Sequence, residues 1–294
     1  MSLFSPWPTK KLTKKEFPRR LREIPDAPEE LFVKGNLPDE RSTRLLTVVG
    51  SRKFSTYGRD ACREIVGGLA PYPITIVSGL AIGIDTLAHQ AALEAGLKTI
   101  AVPGSGLGEA VLYPRINLKL ARKILAAGGS LASEFPDDTR AQKYSFPRRN
   151  RIMAGLSEGV LIVEAQKKSG TLITAHLALD YNRLVFAVPG SIFSGKSEGT
   201  NTLIKEGAIP VTTAEDILAA FGIEPSPESK TFAEVSDDER MLLSALGDEE
   251  LAHDELTRKL AWPTPKVNTL LTSLELKGIV VNARGAVRSA ARPR

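Results

Sequence analysis

From residue 45 onward the chain alternates short apolar runs with amphipathic stretches, and this alternation restricts its fold more than any other feature. The apolar runs are LLTVVG (45–50), ITIVSG (74–79), KTIAVPG (98–104), SLASE (130–134), GVLIVEA (159–165), RLVFAVPG (183–190) and a short IPV (209–211). Helical periodicity occupies residues 57–69, 84–95, 116–127, 148–156, 171–182 and 214–221. Runs that are apolar at nearly every position suit strands buried on both faces, and strands interleaved with helices form a parallel sheet. The expected fold class is therefore α/β, with helices on both faces of the sheet. Ligands of such sheets gather at the C-terminal strand ends, and glycine-rich turns follow several of these strands.

The flanks read differently. Residues 1–44 are rich in proline and charge and are expected to form an extended lead-in that packs on the core. Residues 222–235, GIEPSPESKTFAEV, read as a polar linker. Beyond it, residues 236–294 carry three helical stretches (237–246, 252–260 and 264–277) and then GIVVNARGAVRS (278–289), two short strands about Arg284-Gly285. Three helices followed by a β-hairpin is the order of a winged helix.

Composition narrows the class of function. A single cysteine, Cys62, excludes an internal disulfide framework and fits a reducing compartment. No apolar run approaches the ~20 residues needed to span a bilayer. The opening MSLFSPWPTKK lacks the apolar stretch of a secretory signal, so the cytoplasm is expected and a membrane partner is not. The net charge of +5 is mild, but its distribution is uneven. Residues 236–294 hold 9 basic and 9 acidic residues, whereas Arg140, Lys143, Arg148, Arg149 and Arg151 fall within twelve positions with no acid among them. A compact basic cluster in an otherwise balanced domain marks a site.

Five motifs carry the candidate chemistry. Gly50-Ser51-Arg52 ends the first strand, where the glycine admits a ligand closely and the arginine offers a planar fork to phosphate; the alternative is a solvated arginine. Ser78-Gly79-Leu80-Ala81-Ile82-Gly83-Ile84-Asp85 could present amides to an anion at a helix N-terminus, or Asp85 could cap that helix itself. Lys143-Tyr144-Ser145-Phe146-Pro147-Arg148-Arg149-Asn150-Arg151 interleaves charge with aromatics, as a single strand of nucleic acid requires. Pro147 could open a helix that sets Arg148 and Arg151 on one face and Arg149 on another. Ser169-Gly170-Thr171 opens a helix and is either an anion site or an ordinary N-cap. Gly190 to Ser197 fits the P-loop pattern G-x-x-x-x-G-K-[ST] letter for letter. A working P-loop needs its helix to begin at the Lys-Ser, and here a helix is expected only near Thr200. No dinucleotide fingerprint is present, and His89, His176 and His253 are too scattered to assemble a metal site. No cofactor is expected.

In order along the chain, GSR (50–52), SGLAIGID (78–85), FPRRNRI (146–152), SGTLITA (169–175), PGS (189–191) and GTNTLI (199–204) resemble the DprA/Smf family, as does the upstream FPRRLREIPDAPEELFVKGNLP (17–38). Residues 236–289 are similar to the winged-helix domain that many members carry. The resemblance implies an extended Rossmann-like domain over 45–221 that forms a homodimer, binds and protects incoming single-stranded DNA, and hands it to the RecA recombinase in natural transformation. No enzymatic step is implied. Carried over by position, Arg52 would be the main phosphate contact, Lys143 would assist, and Phe146 would stack on a base. Arg149, Asn150 and Arg151 would line the same pocket. The SAM-like helical domain with which many members begin has no counterpart in these residues.

Two other functional classes compete. One is a nucleotide enzyme, either a P-loop ATPase or a hydrolase of the LOG/lysine-decarboxylase-like type. The latter carry P-G-G-x-G-T-x-x-E, and the corresponding stretch here places Thr174 where the carboxylate belongs. The other is a winged-helix transcription factor, for which a neutral last domain offers poor duplex electrostatics.

Overall fold

The structure, a computed structural model, describes residues 4–70, 72–224, 236–247, 250–277, 279–283 and 286–289. It divides into a unit ending at Pro225 and a second beginning at Ser226. Most of the expected linker, residues 225–235, and the Arg284-Gly285 turn lie outside the described residues.

The seven apolar runs form parallel strands: β3 (Arg44–Val49), β4 (Ile74–Ser78), β5 (Lys98–Ala101), β6 (Ser130–Ser133), β7 (Gly159–Ile162), β8 (Leu184–Ala187) and β9 (Ile209–Pro210). The lead-in does more than pack on them. Its β1 (Lys10–Thr13) and β2 (Glu30–Gly35) add antiparallel to β6, giving the sheet order β1-β2-β6-β5-β4-β3-β7-β8-β9. β1 is an edge strand, and its exposed Lys10 and Lys11 discourage pairing with another chain. The lead-in therefore belongs to the first compact unit.

Alternation along β3 assigns the two faces. Leu45 and Val49 join Val77, Ile100, Val160 and Ile162 under α1 (Arg19–Arg22), α5 (Ser145–Leu156) and α6 (Gly170–Asp180). Leu46 and Val48 join Ile76, Leu161 and Phe186 under α2 (Thr56–Gly68), α3 (Ile84–Glu94) and α8 (Ala214–Ala220). Between β5 and β6, α4 (Leu118–Ala126) closes a third apolar cluster around Leu107, Leu112 and Leu131. Thr47 is the one polar residue of β3 inside these layers, and its hydroxyl donates to the Met153 carbonyl at 2.9 Å. The sheet is thus buried on both faces, as near-continuous apolar strands demand. Among the described residues no helix is long and apolar enough to cross a membrane.

The second unit holds α9 (Asp237–Leu246), β10 (Leu251–Ala252), α10 (His253–Leu260), α11 (Thr264–Leu276), β11 (Val280–Ala283) and β12 (Ala286–Ser289), with sheet order β10-β12-β11. Leu242, Leu246, Leu256, Val267, Leu274 and Val287 make its core, in a winged-helix arrangement. Glu239 serves it twice. Its carboxylate closes the capping box with Ser236 and accepts from Ser273 Oγ (2.6 Å) and Lys277 Nζ (2.8 Å). Burial alone would raise its pKa, but these donors outweigh burial and hold it down at about 2. A depressed carboxylate pKa stabilises above the unfolded value and ceases to as pH falls through the folded one. The thermal midpoint of this unit is therefore expected to drop between about pH 4.5 and about pH 2, and Glu239→Gln should flatten that dependence. A pH profile of Tm identical for both proteins would contradict this.

Candidate nucleic-acid interface

The chain leaves β3 toward β4, β5 and β6 and returns to β7 on the other flank. The loops after β3 and β7 therefore diverge, which opens a crevice at the C-terminal strand ends where such sheets bind ligands. Arg52 lies exposed in the loop after β3, and its guanidinium sits 5.4 Å from the centre of the Phe146 ring. The Tyr113 ring, 47% exposed, lies 5.7 Å from the same ring at a tilt of 56°.

Phe146 is held by its surroundings. Helix α5 begins at Ser145, three residues before the expected start, so Phe146 and Pro147 fall in its first turn. The buried Ser145 hydroxyl donates to the Gly104 carbonyl at 2.5 Å and accepts the Gln142 N–H at 3.1 Å. Gly104 itself makes the seat, because a Cβ there would come within 2.7 Å of the Phe146 ring. A fixed guanidinium and two partly open aromatic rings can engage a phosphate and a stacked base. Lys143 and Arg140 are exposed on the approach to α5, and neither makes an ion pair among the described residues.

The rest of the basic cluster is arranged otherwise. Arg148 and Arg151 do share a face, and both converge on Glu134 Oε2, at 2.8 and 2.5 Å. Burial raises the Glu134 pKa, and the two arginines oppose that shift. Arg149 points elsewhere and is buried. Its Nη1 donates to the Val102 carbonyl at 2.6 Å, and it faces the buried Asp85 across Gly79, whose missing side chain leaves the space the guanidinium fills. Burial lowers the Arg149 pKa and raises that of Asp85, and their mutual attraction opposes both shifts. Asn150 is buried beside them. Arg149, Asn150 and Arg151 thus sit beneath the rim, in supporting positions, while Arg52 and Phe146 open onto it. The acids that face the cluster come from distant positions, Asp85, Glu134 and, at 3.8 Å from Arg151, Asp26, which is why the local sequence looked uniformly basic.

The glycine-rich turns also take different roles from those expected of phosphate loops. The Ser78 hydroxyl is buried and donates to the Val48 carbonyl at 2.6 Å. Asp85 accepts the N–H of Ala81 (3.4 Å) and that of Gly79. The Ser51 carbonyl accepts the N–H of Ile84 at 3.2 Å, an approach that Gly83 permits through its φ of +97° and absent Cβ. Gly50 likewise leaves room for Ile84. The turn at 78–85 therefore engages its own amides and anchors the loop that carries Arg52. Ser169 is an ordinary N-cap: its Oγ accepts the Thr171 N–H at 3.2 Å, with Gly170 open to solvent.

The P-loop look-alike is a closed turn. Helix α7 (Glu198–Lys205) begins two residues earlier than expected, directly after Ser197. Four amides of the turn are nonetheless engaged by the protein itself: Gly190 with Asn201 Oδ1, Phe193 with Ser191 Oγ, Ser194 with the Ser191 carbonyl and Ser197 with the Ser194 carbonyl. The carboxylate near the end of the GVLIVEA run, Glu164, is buried and accepts both the N–H and the hydroxyl of Ser55 at the start of α2. Thr174 is buried within α6.

Two members of the site escaped sequence reasoning. Tyr113 belongs to no motif, although an aromatic in the glycine-rich stretch after a strand was a usable signal. Glu134 ends the SLASE run and gave no sign of meeting two arginines.

The sequence pattern of the family described as DNA recombination-mediator protein A matches residues 10–222, and that of the DprA winged helix domain matches residues 224–286. Protein Smf of Escherichia coli strain K12 is 44% identical over 278 residues, covering 92% of this chain and 74% of its own length. DNA processing protein DprA of Streptococcus pneumoniae is 47% identical over 205 residues, or 70% of this chain and 71% of its own. The crystal structure of DprA from that species superposes with a TM-score of 0.67 at 43% identity over 76% of each chain. DNA processing protein A of Helicobacter pylori, studied for its single-stranded DNA binding mode, superposes with a TM-score of 0.66 at 28% identity, covering 75% of this chain and 98% of that one. With both units matched and the strand-end glycines accounted for, the chain belongs to the DprA/Smf family of DNA recombination-mediator proteins.

Proposed function

We propose that this protein binds single-stranded DNA across Arg52, Phe146 and Tyr113, with Lys143 assisting, and acts as a non-enzymatic recombination mediator. The observation that carries the reading is the open guanidinium–aromatic pair, Arg52 on Phe146 at 5.4 Å, on the ligand-binding rim of a parallel sheet. Phosphate charge and a base's flat face distinguish bases weakly, so sequence preference should be slight. Protection of incoming strands, delivery to RecA and action as a homodimer in the cytoplasm are parts of the same proposal, supported by family membership alone. The test is a titration with single- and double-stranded oligonucleotides, with and without Mg-ATP. Preferential binding of single strands, unchanged by Mg-ATP, is expected; equal affinity for duplex would overturn the reading.

The competing ATPase reading makes an opposite prediction. Because four amides of the 190–197 turn are engaged internally, Lys196 does not head an open phosphate cradle. No DNA-stimulated ATP hydrolysis is expected, and Lys196→Ala should leave single-strand affinity almost unchanged. Hydrolysis abolished by Lys196→Ala would establish the enzyme.

A further inference from the structure

The 190–197 turn is not a nucleotide site, yet it displays two large apolar side chains to solvent: Ile192 is 84% exposed and Phe193 is 93% exposed. Isolated exposed apolar residues are ordinary, but these two are adjacent and held out by an ordered turn. Asn201 clamps Gly190 through both backbone groups, at 3.2 and 3.0 Å, and Ser191 accepts the N–H groups of Phe193 and Ser194. The turn follows β8 and so occupies the same strand-end rim as Arg52.

Contacts and short stretches of chain link positions along that rim. Tyr113 meets Phe146, and Phe146 meets Arg52. Ser55, three residues after Arg52, is held by Glu164 at the end of the β7 run. Tyr57, half-exposed, donates its hydroxyl to the Pro189 carbonyl at the base of the 190–197 turn, at 2.5 Å. In strand order the path crosses from β5 to β8, four strand spacings or roughly 19 Å. Lysines line it: Lys53 beside Arg52, and Lys167 and Lys168 in the loop after β7, all exposed. Among the described residues Lys167 has only a loose partner, Glu198 at 3.8 Å. The N-termini of α2, α6 and α7 lie at the same strand-end edge, each capped or engaged by the protein itself.

The geometry points to a second stacking position at Phe193, reached by a single strand that continues from Arg52 past Lys53 and over Lys167 and Lys168. This rests on the single-strand reading of the Arg52–Phe146 site and extends it: the occupant is single-stranded DNA long enough to cross the whole rim. An aromatic separated from the first by a lysine-lined stretch matches the alternation of charge and flat faces that such strands use. Stacking at the far end adds affinity for long strands only, because a short one is already satisfied at Phe146.

The test compares the unsubstituted protein with Phe193→Ala, Phe146→Ala and a Lys167→Ala/Lys168→Ala variant. The probes are thymidine oligonucleotides of roughly 4 and roughly 16 nucleotides, the bounds of common single-strand site sizes. Phe193→Ala should weaken the long probe about tenfold and leave the short one unchanged, whereas Phe146→Ala should weaken both. The double lysine variant should flatten the log–log salt slope for the long probe by about 0.7 per lysine. A Phe193→Trp protein should show emission quenched by the long probe and not by the short one. If Phe146→Ala weakens both probes and Phe193→Ala weakens neither, the second position is wrong and the first stands. If Phe146→Ala weakens neither, both fall. If Phe193→Ala weakens both probes equally and changes the oligomeric state, the turn is a contact between copies of the chain and the inference is overturned.

Discussion

Arg149→Ala is expected to destabilise the first unit by about 3–5 kcal/mol, the cost of leaving a buried charge without its partner. Arg149 is 5% exposed, and its removal would leave Asp85 buried without the cation it faces and the Val102 carbonyl without a donor. The space it fills above Gly79 would also become a cavity. Arg149→Lys should rescue little, since an ammonium cannot reproduce a planar fork that serves a carbonyl and a carboxylate at once. Denaturant unfolding and single-strand binding measured on the same samples separate the two roles available to this residue. Loss of affinity should follow loss of folded protein. A variant of wild-type stability that no longer binds DNA would show that Arg149 contacts the strand directly, as family position alone implies.

The opposite pattern is expected on the rim. Arg52 and Phe146 are open to solvent or partly so, and their replacement should change binding while leaving the fold intact. In the proposed site Arg52 meets phosphate, so Arg52→Ala should flatten the log–log salt dependence of binding by about 0.7, the increment for one neutralised phosphate on a single strand. Arg52→Glu should bind more weakly still, because repulsion is added to the lost contact. Phe146→Ala should cost about 1–3 kcal/mol of affinity through lost stacking and leave the salt slope nearly intact. Fluorescence titrations across a range of salt concentrations read both quantities at once. Wild-type binding by folded Arg52→Glu and Phe146→Ala proteins would remove the site from this face of the sheet.

Much of the architecture was legible because local physics and global fold agree. The run LLTVVG is apolar on both faces and can be satisfied only inside a covered sheet, so β3 is recognisable by itself. The same holds for the helices that follow the strands, and for the three helices and hairpin of the last unit. β1 and β2 were not legible. KKLT is too short and too polar to announce a strand, and it becomes one only because β2 offers it a free edge. The early start of α5 was hidden by Pro147, which usually opens a helix at its first position and here stands in the third.

The candidate site divides along the same line. Charge interleaved with aromatics over 143–151 is a local pattern and was legible in the sequence, whereas Arg52 was joined to Lys143 and Phe146 only by the family resemblance. Burial and partnership are not local. Arg148, Arg149 and Arg151 lie within four positions of one another, yet one stays largely exposed and two are buried against different partners. A helix turns each successive residue by about 100°, and only the packed sheet decides which direction meets Glu134, which meets Asp85 and which meets water. Likewise the letters of a P-loop at 190–197 describe composition, whereas an anion cradle depends on where the amides point, and Asn201 and Ser191 settle that through contacts formed only in the fold. The amino-acid sequence determined the layers, the helices and the kinds of side chain offered to a ligand, since those follow from periodicity and residue type. The tertiary structure decided which charges remain free to meet that ligand, since desolvation and pairing depend on neighbours that the chain brings together from as far apart as residues 26, 85, 134 and 151.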